Sequence, residues 1–324
     1  MPLPTFTFST TADEVATALT SEIEGKNLLI TGTSIGGIGF ELARVVAKHA
    51  NLVVITGYDL ERLKLSEEAI KKDVPTANIR PLVLNLSSPA AVRKAATEVN
   101  TYPEPLHVLI NNAADTGGTL RITDEGFDSQ MATSHFGPFL LTKLLAPKLL
   151  ATRTTSFVPR VVFVSSMAQK LGPGINFATL RRPDPAVEQN LLLRYHEVKC
   201  ANVLMAIELV RRAQGKLLAY SLDPGGIYTN SMTKEAVVPA MQAAGYLTED
   251  GKPNTATVKW KTIPQGAATT LVAAFDPRLN DKPGAFLVDC NESNKDLAPH
   301  CSDPANAEKL WNMTEEIVGE RFNI

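Results

Sequence analysis

Tyr195 and Lys199 stand four residues apart, and on a helix that spacing puts both side chains on one face. A phenol and an ammonium so placed can share one substrate, because a neighbouring positive charge lowers the phenol pKa and poises it as a proton donor. Tyr-x-x-x-Lys also arises often by chance, as a helix with an exposed charge and a half-buried ring. Its neighbours decide between the two.

Upstream, Asn27-Leu28-Leu29-Ile30-Thr31 is a short apolar run that breaks into Gly32-Thr33-Ser34-Ile35-Gly36-Gly37-Ile38-Gly39 and then into a helical pattern from Phe40 to Ala47. Strand, glycine turn and helix form the setting in which backbone N–H groups at a helix N-terminus meet a pyrophosphate. Further along come Val108-Leu109-Ile110-Asn111-Asn112-Ala113-Ala114, the strand Arg160 to Val164 ending in Ser165-Ser166, and Asp223-Pro224-Gly225-Gly226 with Thr229 after the strand Leu217 to Leu222.

With Tyr195 and Lys199, these motifs in this order resemble the short-chain dehydrogenase/reductase family over roughly Lys26 to Asp289. Within the family the chain most resembles the branch of the retinol dehydrogenases and WW-domain oxidoreductases. Its marks are the long insert between Ser166 and Tyr195, the segment Lys199 to Leu204, and Gly284-Ala285-Phe286-Leu287-Val288-Asp289-Cys290.

The elements that must hold these residues are legible as apolar runs. They recur at Leu28–Thr31, Leu52–Thr56, Pro81–Leu84, His107–Ile110, Val161–Val164, Leu217–Leu222 and Ala285–Val288, with helical patterns between most of them. This predicts an α/β, Rossmann-type, doubly wound parallel sheet of about seven strands with helices on both faces, in a single domain over 1–324. Within it, 26–289 is the family core, 230–262 falls where the family places its variable substrate lid, and 290–324 is a C-terminal extension. Pro304 to Phe322 reads as a helix covering the sheet edge, and Asp13 to Leu19 as a short helix capped by Thr11. Gly172 to Asn190 reads as a surface loop.

Composition narrows the function. With 32 basic and 34 acidic residues, a net charge of -2 carries no footprint for nucleic acid or an anionic membrane. Three irregularly placed cysteines, Cys200, Cys290 and Cys301, do not make a disulfide framework and suit a reducing compartment. Cys290, His300 and Cys301 lack the paired spacing of a metal site, so no metal is expected. The N-terminus lacks a signal peptide's basic start and apolar core, and Phe139 to Leu150 is broken by Lys143, Pro147 and Lys148. A cytoplasmic protein without a membrane span is therefore expected. Many relatives pair through two long helices, here roughly Asp124–Leu150 and Arg194–Gln214, so a homodimer is a weak expectation.

The resemblance implies roles residue by residue. Tyr195 is the proton donor, Lys199 its tuner and the clamp on the nicotinamide ribose, and Ser166, with Ser165 as the alternative, the bond to the substrate oxygen. The implied cofactor set is Gly32, Ser34, Gly37, Ile38 and Gly39 in the loop, Asn85 and Leu86 near the adenine, Asn112 and Ala113 after the fourth strand, Pro224 and Gly225 beneath the nicotinamide, and Thr229 at its carboxamide. The implied reaction interconverts a carbonyl and an alcohol on a small or medium apolar substrate.

Three departures qualify this picture. Gly32 and Gly37 are five apart, one more than the family spacing, with Gly36 as the extra glycine. Asn85 stands where relatives often place an Asp. Ser134, in Ser134-His135-Phe136-Gly137, occupies the place of the family's catalytic Asn, so that either a water or His135 would complete the proton route. This last departure also keeps open a non-catalytic dinucleotide sensor or scaffold. As for the nucleotide, Gly57 replaces the acidic residue that would bind the ribose hydroxyls of NAD, while Tyr58, Arg62 and Lys64 lie close enough to meet a 2′-phosphate. A preference for NADP(H) over NAD(H) is expected, with Arg62 as phosphate partner and the Asp59 carboxylate as the feature that opposes it.

Overall fold

The computed structural model describes residues 2–116, 119–184 and 190–324. The chain begins with helices α1 (Ala12–Ala18) and α2 (Thr20–Ile23), then alternates strand and helix: β1 (Asn27–Ile30), α3 (Ile38–Val46), β2 (Leu52–Gly57), α4 (Leu60–Asp73), β3 (Ile79–Val83), α5 (Pro89–Thr101) and β4 (Val108–Asn111). A short α6 (Ser129–Met131) runs through a π-helical turn, Ala132–Phe136, into α7 (Gly137–Leu150). Then come β5 (Arg160–Val164), α8 (Leu191–Ala213), β6 (Leu218–Asp223), β7 (Gly226–Ile227), α9 (Val238–Ala243), β8 (Trp260–Lys261), α10 (Ile263–Phe275), β9 (Phe286–Val288), β10 (Asn291–Glu292), α11 (Pro299–Ser302) and α12 (Pro304–Val318).

The main sheet has the order β10-β9-β6-β5-β4-β1-β2-β3, and all its pairs are parallel except the edge pair β9–β10. The expected runs supply seven of its strands, and the short antiparallel β10 is the addition. Its central strands read as unbroken apolar runs because both faces are covered. In β1, Leu29 enters one core while Leu28 and Ile30 enter the other, as the two-residue period of a strand requires. Strand order reverses between β1 and β4, and in sheets of this kind that reversal opens a crevice at the carboxyl ends of the strands.

Thr11 caps α1 in a capping box with Glu14, as expected. The segment 230–262 carries α9 and β8, and β8 pairs with β7 in a separate two-stranded sheet. Gly172 to Asp184 has no helix or strand, and 185–189 of the expected surface loop lie outside the described residues.

Two expectations are corrected. The C-terminal helix does not cover the sheet edge. α12 packs on α8 and, through Trp311, on α7: the Trp311 ring lies edge-on to Phe139 at 4.9 Å and stacks on Phe322 at 4.9 Å. Arg212 of α8 covers Trp311 at 4.8 Å, and Lys143 of α7 pairs with Glu320. Apolar periodicity shows that such a helix is amphipathic but not which neighbour it seeks. A homodimer through α7 and α8 would have to use what α12 leaves uncovered. The second correction concerns the cysteines. Cys200 and Cys301 form a disulfide with Cα atoms 5.3 Å apart, joining α8 to α11. Their separation of 101 residues hid the pair from any spacing rule. Cys290 stands elsewhere, with its thiol 3.7 Å from Thr269 Oγ1. The His300 ring Nε2 lies 3.2 Å from the Gln169 carbonyl, so the imagined trio Cys290, His300 and Cys301 does not assemble. Among the described residues no helix is long and apolar enough to cross a membrane.

Candidate active site

The glycine loop borders the crevice between β1 and β4. Gly39 lies so close to the start of the loop that an added Cβ would sit 2.3 Å from the Gly32 carbonyl oxygen and 2.5 Å from Asn112 Nδ2. That amide donates to the carbonyls of Thr31 (2.9 Å) and Gly32 (3.1 Å), and Thr31 Oγ1 accepts from the backbone N–H groups of Asn112 and Ala113, each at 3.0 Å. Asn112 and Ala113 thus fasten the two sides of the crevice together. Asn111 turns instead to α7, donating to Thr142 Oγ1 at 3.3 Å.

The extra loop residue has a definite place. Gly36 has φ +77°, the left-handed region that favours glycine, and its missing side chain makes room for Asn230, whose Nδ2 donates to the Ile35 carbonyl at 2.9 Å. The first residue of the segment 230–262 is therefore tied to the loop. Past Gly36, Gly37 begins α3 without a side-chain cap, so the first amides of that helix are left to a ligand.

Beside the loop, a recess is lined by Ser34, Gly57, Tyr58, Asp59, Arg62 and Ser66 among others. Asp59 lines it too, with Oδ1 occupied as the cap of α4, accepting from the Arg62 N–H at 3.0 Å. Lys64 pairs with Glu61 at 3.0 Å and is not among the lining residues. Arg62 is exposed and, among the described residues, has no acidic partner. Uncapped helix amides, a glycine where a carboxylate would repel and a guanidinium with no acidic partner suit a phosphorylated dinucleotide. Asn85 Oδ1 accepts from the N–H (3.0 Å) and hydroxyl (2.7 Å) of Ser87. Leu86 buries its side chain in the core, and its carbonyl is packed against Gly137, so it offers a ligand less than the resemblance implied. Thr229 Oγ1 is 2.7 Å from Ser231 Oγ.

At the carboxyl ends of β5 and β6 the reacting groups meet. The Ser166 side chain lies beside the Tyr195 phenol, near enough to pull its pKa down, and its Oγ accepts from the Ala168 N–H at 3.2 Å. Ser165, the alternative, is buried and donates to the Lys199 carbonyl at 2.6 Å, which ties β5 to α8. Lys199 Nζ donates to the Val164 carbonyl at 2.9 Å and lies 5.3 Å from the centroid of the Tyr195 ring. Burial pushes the phenol up to about 12, against the pull of Ser166 and with the negative charge of Asp223. Burial also brings Lys199 down to about 8, and Asp223 opposes that shift. The expected lowering of the phenol by Lys199 is not what sets it: desolvation raises it, and the ammonium is held by the Val164 carbonyl. A phenol that keeps its proton at neutral pH suits a proton donor.

Ser134 sits in the π-helical turn, a feature frequent at functional sites, and its Oγ accepts from the Asp115 N–H at 3.4 Å. Among the described residues it bonds none of Ser166, Tyr195 and Lys199. His135 does not complete a proton route. Adjacent helical residues diverge, and its Nε2 lies 2.9 Å from Thr314 Oγ1 of α12, with burial holding the ring neutral down to about 3. Two residues near the site had no role assigned from the sequence: Asp223, present there only as the start of the Pro224-Gly225 motif, whose Oδ1 accepts from the Met167 N–H at 3.0 Å, and Lys261, paired with Asp289 at 2.6 Å.

A family model described as short chain dehydrogenase matches residues 26–178. The chloroplastic short-chain dehydrogenase TIC 32 A of Brassica napus is 33% identical over 319 residues, covering 96% of this chain and 93% of the relative. The chain belongs to the short-chain dehydrogenase/reductase family. It is an enzyme of that family, and its relatives include the branch the motifs resembled: the WW domain-containing oxidoreductase of Danio rerio is 31% identical, with 93% of this chain and 70% of that one covered. Among solved structures, a Mycobacterium paratuberculosis protein superposes on this short-chain dehydrogenase with a TM-score of 0.68 at 25% identity, over 94% of this chain and 98% of the other.

Proposed function

We propose that this enzyme interconverts a carbonyl and an alcohol on a small or medium apolar substrate, with NADP(H) preferred over NAD(H). The observation that carries the reading is the junction of Ser166, Tyr195 and Lys199 at the ends of β5 and β6, facing the crevice that the glycine loop borders. The bound dinucleotide supplies or accepts the hydride. Tyr195 gives its proton to the substrate oxygen in reduction and takes it back in oxidation. Ser166 stabilises the charge that gathers on that oxygen. Lys199, drawn from the Val164 carbonyl or shared with it, holds the ribose. Ser134 leaves the proton relay to water, since His135 faces the core.

The apolar substrate is supported by the segment 230–262, the family's place for a substrate lid, whose Trp260 meets Tyr228 edge-on at 6.5 Å. The assembled triad is what disfavours a non-catalytic sensor. Consumption of NADPH against a panel of aldehydes and ketones tests the activity, and an enzyme inert to the whole panel, while still binding the nucleotide, would favour the sensor.

The nucleotide choice rests on Gly57 and Arg62. Loss of one charge-assisted hydrogen bond costs about 1.5–3 kcal/mol, so Arg62→Ala is expected to lower kcat/KM with NADPH roughly 10- to 100-fold and leave the NADH value nearly unchanged. A higher kcat/KM with NADH in the wild type would overturn the preference.

A further inference from the structure

Gln169 lies three residues beyond Ser166, inside the 3-10 turn Met167–Lys170, and it is fully buried. Glutamine is mostly a surface residue, and burying its amide is costly unless both ends find partners. Both do. The Nε2 group donates to the Asp296 carbonyl at 2.8 Å, and Oε1 accepts from the Ala298 N–H at 3.0 Å. The Gln169 carbonyl lies 3.2 Å from the His300 ring Nε2 and 3.5 Å from Cys301 Sγ. One residue thus fastens the turn to the segment 296–301. The same turn is bound to Ser166 at two atoms: the Gln169 N–H donates to the Ser166 carbonyl at 3.1 Å, and Ser166 Oγ accepts from the Ala168 N–H at 3.2 Å. Where the turn sits therefore decides where that hydroxyl sits. The far side of the segment is fastened too. Cys301 is joined by its disulfide to Cys200, the residue after Lys199 on α8, and Ser165 Oγ donates to the Lys199 carbonyl at 2.6 Å. The contacts close a ring from the end of β5, through the turn, Gln169, α11 and the disulfide, to α8 and back.

We propose that Gln169 is a positioning residue for Ser166, and that the segment 296–301, closed onto α8 by the Cys200–Cys301 disulfide, is the support from which it holds the turn. The residue type fits the task. Two backbone groups of opposite kind, a carbonyl and an N–H two residues apart, must be met by one side chain, and an amide supplies the donor and the acceptor together. An ionised carboxylate would offer acceptors only, and an apolar side chain neither. Asp223 secures the other side of the turn, its Oδ1 accepting from the Met167 N–H at 3.0 Å. The neighbouring ion pair of Lys170 with Asp296, at 2.8 Å, is partly exposed and adds little to this hold. The ring thus fixes Ser166 relative to the helix that carries Tyr195 and Lys199, and an error of about 1 Å in such a placement can cost on the order of 100-fold in rate. The inference rests on the reading of Ser166 as the group that stabilises the substrate oxygen.

A cycle of variants tests it, with kcat measured on a carbonyl substrate found in the panel and the NADPH dissociation constant by fluorescence titration. The proteins are the wild type, Gln169→Met, Ser166→Ala and the double variant. Met keeps the length of the side chain and removes both the donor and the acceptor. Ser166→Ala is expected to lower kcat roughly 100- to 1,000-fold, the range for loss of one donor to a developing oxyanion. Gln169→Met should lower kcat roughly 10- to 100-fold with the NADPH dissociation constant near that of the wild type. Once the Ser166 hydroxyl is gone, adding Gln169→Met should cost less than about threefold more, because a residue that acts through another loses its effect with it. A core residue needed only for stability would lower kcat by the same factor in both backgrounds. That result, or an unchanged kcat in Gln169→Met, overturns this proposal alone. A wild-type kcat in Ser166→Ala overturns the reading of Ser166 and this inference with it. If Gln169→Met does not fold, Cys301→Ala opens the ring at the disulfide and leaves both Gln169 amide bonds in place. Its kcat should fall roughly 3- to 10-fold, again only while Ser166 is present; no fall, or the same fall in Ser166→Ala, counts against the proposal.

Discussion

Tyr195→Phe is expected to lower kcat by roughly 100- to 10,000-fold, the range for loss of a positioned general acid, while the dissociation constant of NADPH stays near that of the wild type. The two readouts separate because of where the side chains are anchored. Phe keeps the ring and its packing and loses only the hydroxyl that Ser166 meets. Lys199 is held by the Val164 carbonyl at 2.9 Å, not by the phenol, so the ammonium has no reason to move when the hydroxyl goes. Since burial pushes the phenol up to about 12, the reductive rate of the wild type should not fall at neutral pH through loss of the Tyr195 proton. Unchanged turnover in the variant would remove Tyr195 from the chemistry. A large loss of affinity instead would mean that the hydroxyl serves binding.

Gly39→Ala should act the other way, on binding and stability together. Its Cβ would meet the Gly32 carbonyl oxygen at 2.3 Å and Asn112 Nδ2 at 2.5 Å, both far inside contact distance and both part of the fastening between β1 and β4. Neither neighbour is the free end of a flexible chain, so α3 must shift from the loop or the Asn112 bonds must break. Overpacking of this kind costs roughly 1–3 kcal/mol, and each charge-assisted bond lost to the pyrophosphate about as much again, which predicts a lower Tm and roughly 10- to 100-fold weaker NADPH binding. Thermal unfolding and nucleotide titration check both; an unaltered Tm with unaltered affinity would show that the loop opens freely and that the glycine is not needed.

The parts of this protein that were legible from sequence are those in which local pattern and long-range contact say the same thing. Seven apolar runs each became a strand of one sheet, because a run that must be buried on both faces leaves its mark in every residue. The glycine loop, Asn112 and the Ser166, Tyr195 and Lys199 set were visible for a related reason, since each needs a particular residue type at a particular spacing. What escaped was contact between distant segments. Cys200 and Cys301 are ordinary cysteines until α11 is laid on α8, and Asn230 is an ordinary loop residue until it meets the room left by Gly36. Asp223 is an ordinary neighbour of Pro224 until β6 lies beside β5 and the Met167 N–H reaches its carboxylate. His135 failed in the opposite sense, because nearness in sequence to Ser134 suggested a shared role that the helical turn between them forbids. The direction of the Tyr195 shift was misjudged too, since a sequence shows a neighbouring charge more readily than it shows burial.

The most direct test of hydride exchange between nicotinamide and substrate is isotopic. NADPH carrying deuterium at the transferable C4 position is mixed with a carbonyl substrate found in the panel, and the product alcohol is analysed by mass spectrometry and proton NMR. The expected result is one deuterium on the carbinol carbon for each NADP+ formed in the wild type, and no labelled alcohol above background from Tyr195→Phe. An alcohol whose carbinol hydrogen comes from solvent, or nucleotide oxidation without alcohol, would contradict it.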